Sequence, residues 1–295
     1  MAGESVLAPA LSANTSIVHV PDVGAMTVYH NGVTHGRPLV LLHSINAAPS
    51  AMEIRPLYDH YQSIRPVFAP DLPGFGLSTR GGFPFSPGFF AAVLADWLGA
   101  LPGPAPDVVA MSLTGEFVGR AIVEHGISVN TLTMISPTGL DDRKLPSRLP
   151  ILEAILSFPG VSSGLYRLLT SKMSIRYFLR QSFVGEPPED LVDYAHQTAR
   201  IAGARWAPLS FLTMRLFSPA VYEDIYSRLD VPTLVLYDRD PNVGFAKLDQ
   251  IVAQNPMWRS VRLTPSQGLP HWEQMGSTAD ALDAFWREMN SAEAA

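Results

Sequence analysis

The stretch DVVAMSLTGEFVGR at 107–120 sets a serine, Ser112, between an apolar run of strand type and a run with helical spacing. A serine on so sharp a strand-to-helix turn lifts its hydroxyl above the sheet edge, where it can add to a carbonyl carbon. The turn needs small residues two before and two after the serine, because strand and helix close on each other there. Ala110 and Thr114 hold those positions, and Gly115 follows the β-branched threonine. Taken alone, the stretch also suits a serine that caps an ordinary helix. Two later segments carry groups that would complete acyl-transfer chemistry. One is a strand-like run at 231–237 followed by Asp238 and Asp240; the other is SQGLPHWEQ at 266–274, with His271. In such a relay the imidazole takes the serine proton while a carboxylate holds the ring.

These residues meet only if the elements that carry them stack side by side. Short β-prone runs at 16–20 and 25–30, separated by PDVG, suit an antiparallel hairpin. Runs at 38–42, 67–69, 108–111, 132–135, 233–237 and 260–263 are largely apolar and bounded by turn residues. That pattern marks strands buried on both faces of a mainly parallel sheet. Helical patterns at 51–60, 89–101, 116–125, 247–253 and 278–289 lie between or after them. The alternation implies an α/β fold with a doubly wound, mostly parallel sheet. It breaks between 141 and 229, where helical patterns at 151–158, 165–170 and 189–201 follow one another without a strand. We read residues 1–140 and 230–295 as two parts of one core, and 141–229 as a helical lid inserted between them.

LLHSIN at 41–46 and VFAPDLPGFGLS at 67–78, taken with the serine turn, resemble the α/β-hydrolase family. The family commonly reads LLHG at the first place and matches the second nearly residue for residue. The resemblance implies the α/β-hydrolase fold and an oxyanion hole formed by the backbone N–H groups of Ile45 and Leu113. Ser44 stands where glycine is usual. Asp71, Gly74 and Gly76 are expected to shape a turn rather than act on substrate. Aligning DRDP at 238–241 with the family's Asp-x-Asp-Pro makes Asp240 the acid, with Asp238 held in reserve as a solvated loop carboxylate. The family often reads GHxPHxE at the last segment, its first histidine catalytic, and counting back from Glu273 puts Gly268 at that place. His271 is the one histidine after Asp240 and is the expected base, on a compact loop like that of serine-dependent haloperoxidases and esterases. The alternative is a lost base, leaving a non-hydrolytic or silent member: a lyase-like or cyclase-like enzyme, or a binding protein.

Composition bounds the remaining possibilities. The chain has 295 residues, 47% hydrophobic and only 16% charged, enough to bury a large core. A net charge of −6 with no basic run argues against nucleic acid as a partner. Cysteine is absent, which excludes disulfides, a thiolate nucleophile and a Cys metal site. The histidines at 19, 30, 35, 60, 125 and 196 show no ligand spacing, and Gly74-Phe-Gly76 lacks the rest of a nucleotide loop, so neither metal nor cofactor is expected. No apolar run approaches a membrane span, and 1–14 lacks the form of a secretory leader, so a cytoplasmic protein acting on a small molecule is expected. The plain chemistry is ester hydrolysis through an acyl-enzyme, with thioesters and ketone-flanked C–C bonds as relatives. Haloalkane and epoxide hydrolysis are disfavoured, since those members use aspartate where Ser112 stands. Large apolar residues in 165–217, among them Tyr166, Phe178 and Phe211, suit an apolar substrate or simply pack the lid.

Overall fold

The computed structural model of the chain describes residues 7–142 and 148–293. Residues 1–6, 143–147 and 294–295 lie outside it, and with them part of the N-terminal stretch and part of the expected lid. Eight strands form one sheet in the order β1-β2-β4-β3-β5-β6-β7-β8. These are β1 (Asn14–Val20), β2 (Gly24–His30), β3 (Leu39–Leu42), β4 (Val67–Pro70), β5 (Asp107–Met111), β6 (Thr131–Ile135), β7 (Thr233–Tyr237) and β8 (Trp258–Arg262). The β1–β2 hairpin and the β2–β4 pair are antiparallel, and the other pairs are parallel.

The continuous apolar runs have the expected cause. Val40 and Leu42 of β3, with Val108 and Ala110 of β5, face one hydrophobic core; Leu39 and Leu41, with Val109 and Met111, face a second. Successive side chains of a strand point to opposite faces, so a strand covered on both sides must be apolar throughout. Helices α2 (Pro87–Gly99) and α3 (Thr114–His125) cover the first face, where Phe90 and Phe117 stack at 4.8 Å. Helices α1 (Arg55–Tyr61) and α12 (Met275–Glu293) cover the second, where Tyr61 meets Trp286 edge to face at 5.3 Å. Each large apolar side chain buried this way stabilises the fold by about 1.5–3 kcal/mol.

Boundaries move where a local signal was weak. Strand β8 begins two residues earlier than its pattern predicts, because Trp258 is buried against Tyr226. The helix expected at 247–253 is α10 (Leu248–Gln254), the one at 278–289 is longer, and a four-residue helix, α11 (Pro270–Glu273), precedes the latter.

Between β6 and β7 the described chain forms α4 (Pro150–Leu156), α5 (Pro159–Leu169), α6 (Lys172–Arg180), α7 (Glu189–Thr198), α8 (Trp206–Leu212) and α9 (Val221–Asp224), with no strand. Prolines open α4 and α5, and Ser171 caps α6 by accepting from the Ser174 N–H. This helical insertion is fastened to the core at separate points. Tyr166 Oη donates to Ala47 O at 3.1 Å, Tyr194 Oη to Ala8 O at 2.8 Å, and Arg80 to Thr198 Oγ1 at 2.6 Å. Its outer face is apolar in places: Phe158, Leu168 and Met173 are exposed.

Candidate active site

Ser112 follows the last residue of β5 with φ +51°, a left-handed backbone that non-glycine residues seldom adopt. Such a conformation costs on the order of 1–3 kcal/mol and persists only where its surroundings impose it. Here the Ser112 N–H donates to Ile135 O of β6 at 2.8 Å, and Ser112 O accepts from Gly115 at 3.1 Å in the first turn of α3. Thr114 explains its own presence in place of glycine. Its Oγ1 donates to His43 O at 2.7 Å, tying the serine turn to the loop after β3. The close approach falls instead to Gly115, where a Cβ would stand 3.0 Å from Met134 Sδ. Among the described residues, neither the Ile45 nor the Leu113 backbone N–H donates to a protein acceptor.

Glu53 holds the loop that carries Ile45, a role that sequence reasoning missed. Its carboxylate accepts from Ser44 N at 2.9 Å and Asn46 Nδ2 at 2.6 Å, while Asn46 Oδ1 accepts from Ala48 N at 2.9 Å. Ser50 and Glu53 have the spacing of a capping box, and Ser50 does cap the short helix there, but Glu53 turns to the neighbouring loop. His43, also buried, accepts from Leu72 N at its Nε2 (3.0 Å) and donates from Nδ1 to Ser44 O (2.7 Å). Asp71 behaves as the motif implies: it accepts from Tyr29 Oη, Ala51 N and Leu77 N at 2.8–3.1 Å. It lies where a Cβ on Gly76 would fall, 1.9 Å from the carboxyl carbon, so only glycine fits.

Two carboxylates follow β7, and their surroundings differ. Asp238 is buried rather than solvated as expected: it accepts from Ser266 N at 2.9 Å and from Arg262 Nε at 2.8 Å. Burial works to raise its carboxyl, but these donors outweigh burial and hold it below the usual range. It anchors the loop after β8. Among the described residues, Asp240 accepts only from the backbone N–H groups of Asn242 (2.7 Å) and Val243 (3.2 Å), both at Oδ1. Burial pushes its carboxyl above the ordinary value against those two bonds. No cation pairs with it among the described residues.

The expectation that His271 links Ser112 to Asp240 is not met. Its Nε2 donates to Glu53 O at 2.7 Å, and Trp272 Nε1 donates to the same carbonyl at 2.6 Å. The ring is fully buried, Nδ1 has no partner, and burial pushes its pKa down to about 4 against the opposing Glu53 bond. The physical reason lies in α11: Pro270 starts the helix, so His271 sits in its first turn and points to the core under the short helix Ala51–Ile54. Gly268 is the residue that meets Asp240. A Cβ there would lie 2.6 Å from Asp240 Oδ2 and 3.5 Å from Ser182 Cβ. Glu273 fixes this arrangement by accepting from Gln267 N (2.9 Å) and Val184 N (2.6 Å), which joins the loop to the insertion.

A cavity of about 300 Å3 lies between the Ile45 loop and the insertion. Its wall is mostly apolar, with Phe178, Phe211 and Leu212 prominent, and its polar groups include Asn46, Glu53, Ser182 and Asn242. Phe178 and Phe211 thus face the cavity, whereas Tyr166 packs against Ala48 and Ile175. Ser112 is only partly exposed.

An eight-stranded, mostly parallel sheet with a left-handed serine between strand and helix defines a protein of the α/β-hydrolase fold. The chain belongs to the alpha/beta hydrolase family, whose model matches residues 39–281. No curated protein matches it. Solved structures resemble it over almost its full length at low identity. One is a serine hydrolase involved in carbazole degradation, 15% identical with TM-score 0.74, the match covering 94% of this chain and 99% of that one. Another is a putative lipase from Acinetobacter baumannii, 18% identical with TM-score 0.76, covering 95% and 93%. A haloalkane dehalogenase from Agrobacterium tumefaciens is 18% identical with TM-score 0.72, covering 94% and 97%. Likeness at this level concerns the fold. No helix among the described residues is long and apolar enough to cross a membrane, and no group of three metal-ligating side chains occurs among them.

Proposed function

We propose that the chain is a hydrolase acting on an ester-like bond of a small, largely apolar molecule held in the cavity under the helical insertion, which serves as a lid. A carboxylic ester is the plain substrate; a thioester or a ketone-flanked C–C bond calls on related chemistry. Ser112 Oγ adds to the carbonyl carbon as its proton passes to a base from solution, the part that soluble imidazole plays in the test below, and the free N–H groups of Ile45 and Leu113 receive the developing oxyanion. Asp240 is the acid of the relay. The strained backbone of Ser112 carries this reading, because a serine that merely caps a helix has no need of φ +51°. A second reading, a non-hydrolytic or silent member, draws on Gly268, which puts no imidazole against Asp240.

The two readings separate on a covalent probe. The chain is incubated with a fluorophosphonate, with and without soluble imidazole, and modification is followed by intact mass and peptide mapping. The hydrolase reading expects Ser112 to be modified when imidazole is present, and Ser112→Ala to lower that rate about a thousandfold or more while circular dichroism stays unchanged. Modification of the wild type no faster than that of Ser112→Ala, with imidazole present, leaves the silent reading standing.

A further inference from the structure

The insertion holds a second cavity, of about 400 Å3, between α5 and the segment 199–205 that joins α7 to α8. Arg167, Arg200 and Arg205 line it together with Tyr166, and no acidic residue does. Three cations around one cavity stand out in a chain of net charge −6. Elsewhere in the insertion Arg176, Arg180 and Arg215 pair with Glu189, Glu186 and Glu153 at 2.6–3.2 Å. Among the described residues no carboxylate pairs with Arg167, Arg200 or Arg205. Arg200 donates from Nη2 to Thr170 O at 3.1 Å, and the Arg205 guanidinium lies 4.3 Å from the centre of the Trp206 ring.

Several donors at this cavity are unspent. Arg205 Nε is buried and has no acceptor among the described residues. The same holds for the backbone N–H groups of Ala202 and Gly203, two residues that line the cavity. Gly203 takes φ +78°, and successive N–H groups at such a turn form the kind of concavity that holds an anion. Arg80 lies behind it: a Cβ on Gly203 would stand 3.2 Å from Arg80 Cβ, and Arg80 Nε is likewise buried without an acceptor. Burial pushes the Tyr166 hydroxyl up to about 12, and the fields of Arg80 and Arg200 oppose it, so both cations act on this wall. A buried guanidinium N–H without an acceptor is destabilising, and an anion beside it removes that penalty.

From this arrangement we propose that the cavity is a binding site for a phosphate-type oxyanion, separate from the apolar cavity beside the Ile45 loop. Guanidinium forks match the spacing of phosphate oxygens. Three of them with two backbone N–H groups offer more donors and more charge than one carboxylate can use, whereas a phosphate group brings three acceptor oxygens and close to two charges. The two cavities stand back to back: Tyr166 lines this one and donates to Ala47 O, and Ala47 lines the other. The proposal does not rest on the hydrolase reading, and its test makes no use of Ser112.

The whole chain is titrated calorimetrically with inorganic phosphate and with methyl phosphate, at an ionic strength held constant with chloride. We expect saturable binding of one phosphate with Kd of about 1 mM or below. Phosphate should also raise the thermal midpoint where chloride at equal ionic strength does not. Arg167→Gln, whose side chain has no partner to lose among the described residues, should keep its circular dichroism and weaken phosphate binding about tenfold. Arg205→Gln should weaken it by about as much or more. Arg287→Gln, which removes the same charge from the exposed side of α12, should leave it unchanged. Equal affinity for methyl phosphate assigns the site to the phosphoryl end of a larger molecule, and binding of inorganic phosphate alone assigns it to the free anion. No saturable binding of either, binding as tight in Arg167→Gln and Arg205→Gln as in the wild type, or an equal loss in Arg287→Gln overturns the proposal.

Discussion

The carbonyl of Glu53 and the carboxylate of Asp240 lie on two sides of the same short loop, and the chain treats them oppositely. At Glu53 O two ring N–H groups, from His271 and Trp272, converge within 2.7 Å, and the imidazole is sealed from water. At Asp240 a carboxylate has one oxygen without a partner among the described residues and lies against a glycine. Two residues, Leu269 and Pro270, separate an imidazole that packs the core from the place where a relay would use one. A histidine is therefore a base only where its ring has a proton to take and water or substrate to take it from. His271, neutral and without access, is part of the scaffold.

Changes on either side sharpen the contrast, and the largest belongs to the packed one. His271→Ala should cost about 2–4 kcal/mol in urea unfolding, from a core cavity and a lost bond to Glu53 O. The pH dependence identifies the cause. With the folded pKa about 4 against an ordinary 6.5, the unfolded chain binds the proton more readily, so wild-type stability falls as pH drops from about 6.5 towards 4. That fall should be smaller in His271→Ala. A variant as stable as the wild type, or one with an unchanged pH profile, would erase the scaffold role.

On the open side, Gly268→His should raise turnover of a neutral ester by about a hundredfold, provided Asp240 swings away from the new Cβ; a steady-state assay against p-nitrophenyl acetate reads this. No gain, in a variant that folds, would mean that position 268 is not aligned with Ser112. Asp238→Asn should cost about 1–2 kcal/mol in urea unfolding and leave fluorophosphonate modification of Ser112 intact, because its carboxylate anchors Ser266 and Arg262. The smallest effect is expected for the stability of Asp240→Asn, within about 0.5 kcal/mol of wild type or slightly above it, since asparagine keeps the Oδ1 acceptor and removes a charge that no cation among the described residues offsets. A clear loss of stability in thermal melts would show that Asp240 has a structural partner after all.

Much of this was legible in the residues. Apolar runs such as LVLL at 39–42 and DVVAM at 107–111 mark strands covered on both faces whatever surrounds them, because a half-exposed strand would alternate. The serine turn, the Asp71–Gly76 loop and the strandless stretch before β7 are likewise local patterns, fixed by backbone sterics and helical spacing. What the sequence left open was the partner of each polar group. Glu53 has the spacing of a helix cap, yet it serves the Ile45 loop; Thr114 replaces a glycine yet supplies a bond to His43 O. Asp238 and Asp240 are two residues apart and chemically identical, and only the loop folded over them makes one an anchor and the other an unpaired acid. His271 was chosen as the only histidine available, but the direction of its ring is set by Pro270 starting a helix against the core, a long-range packing choice that no count of residues contains.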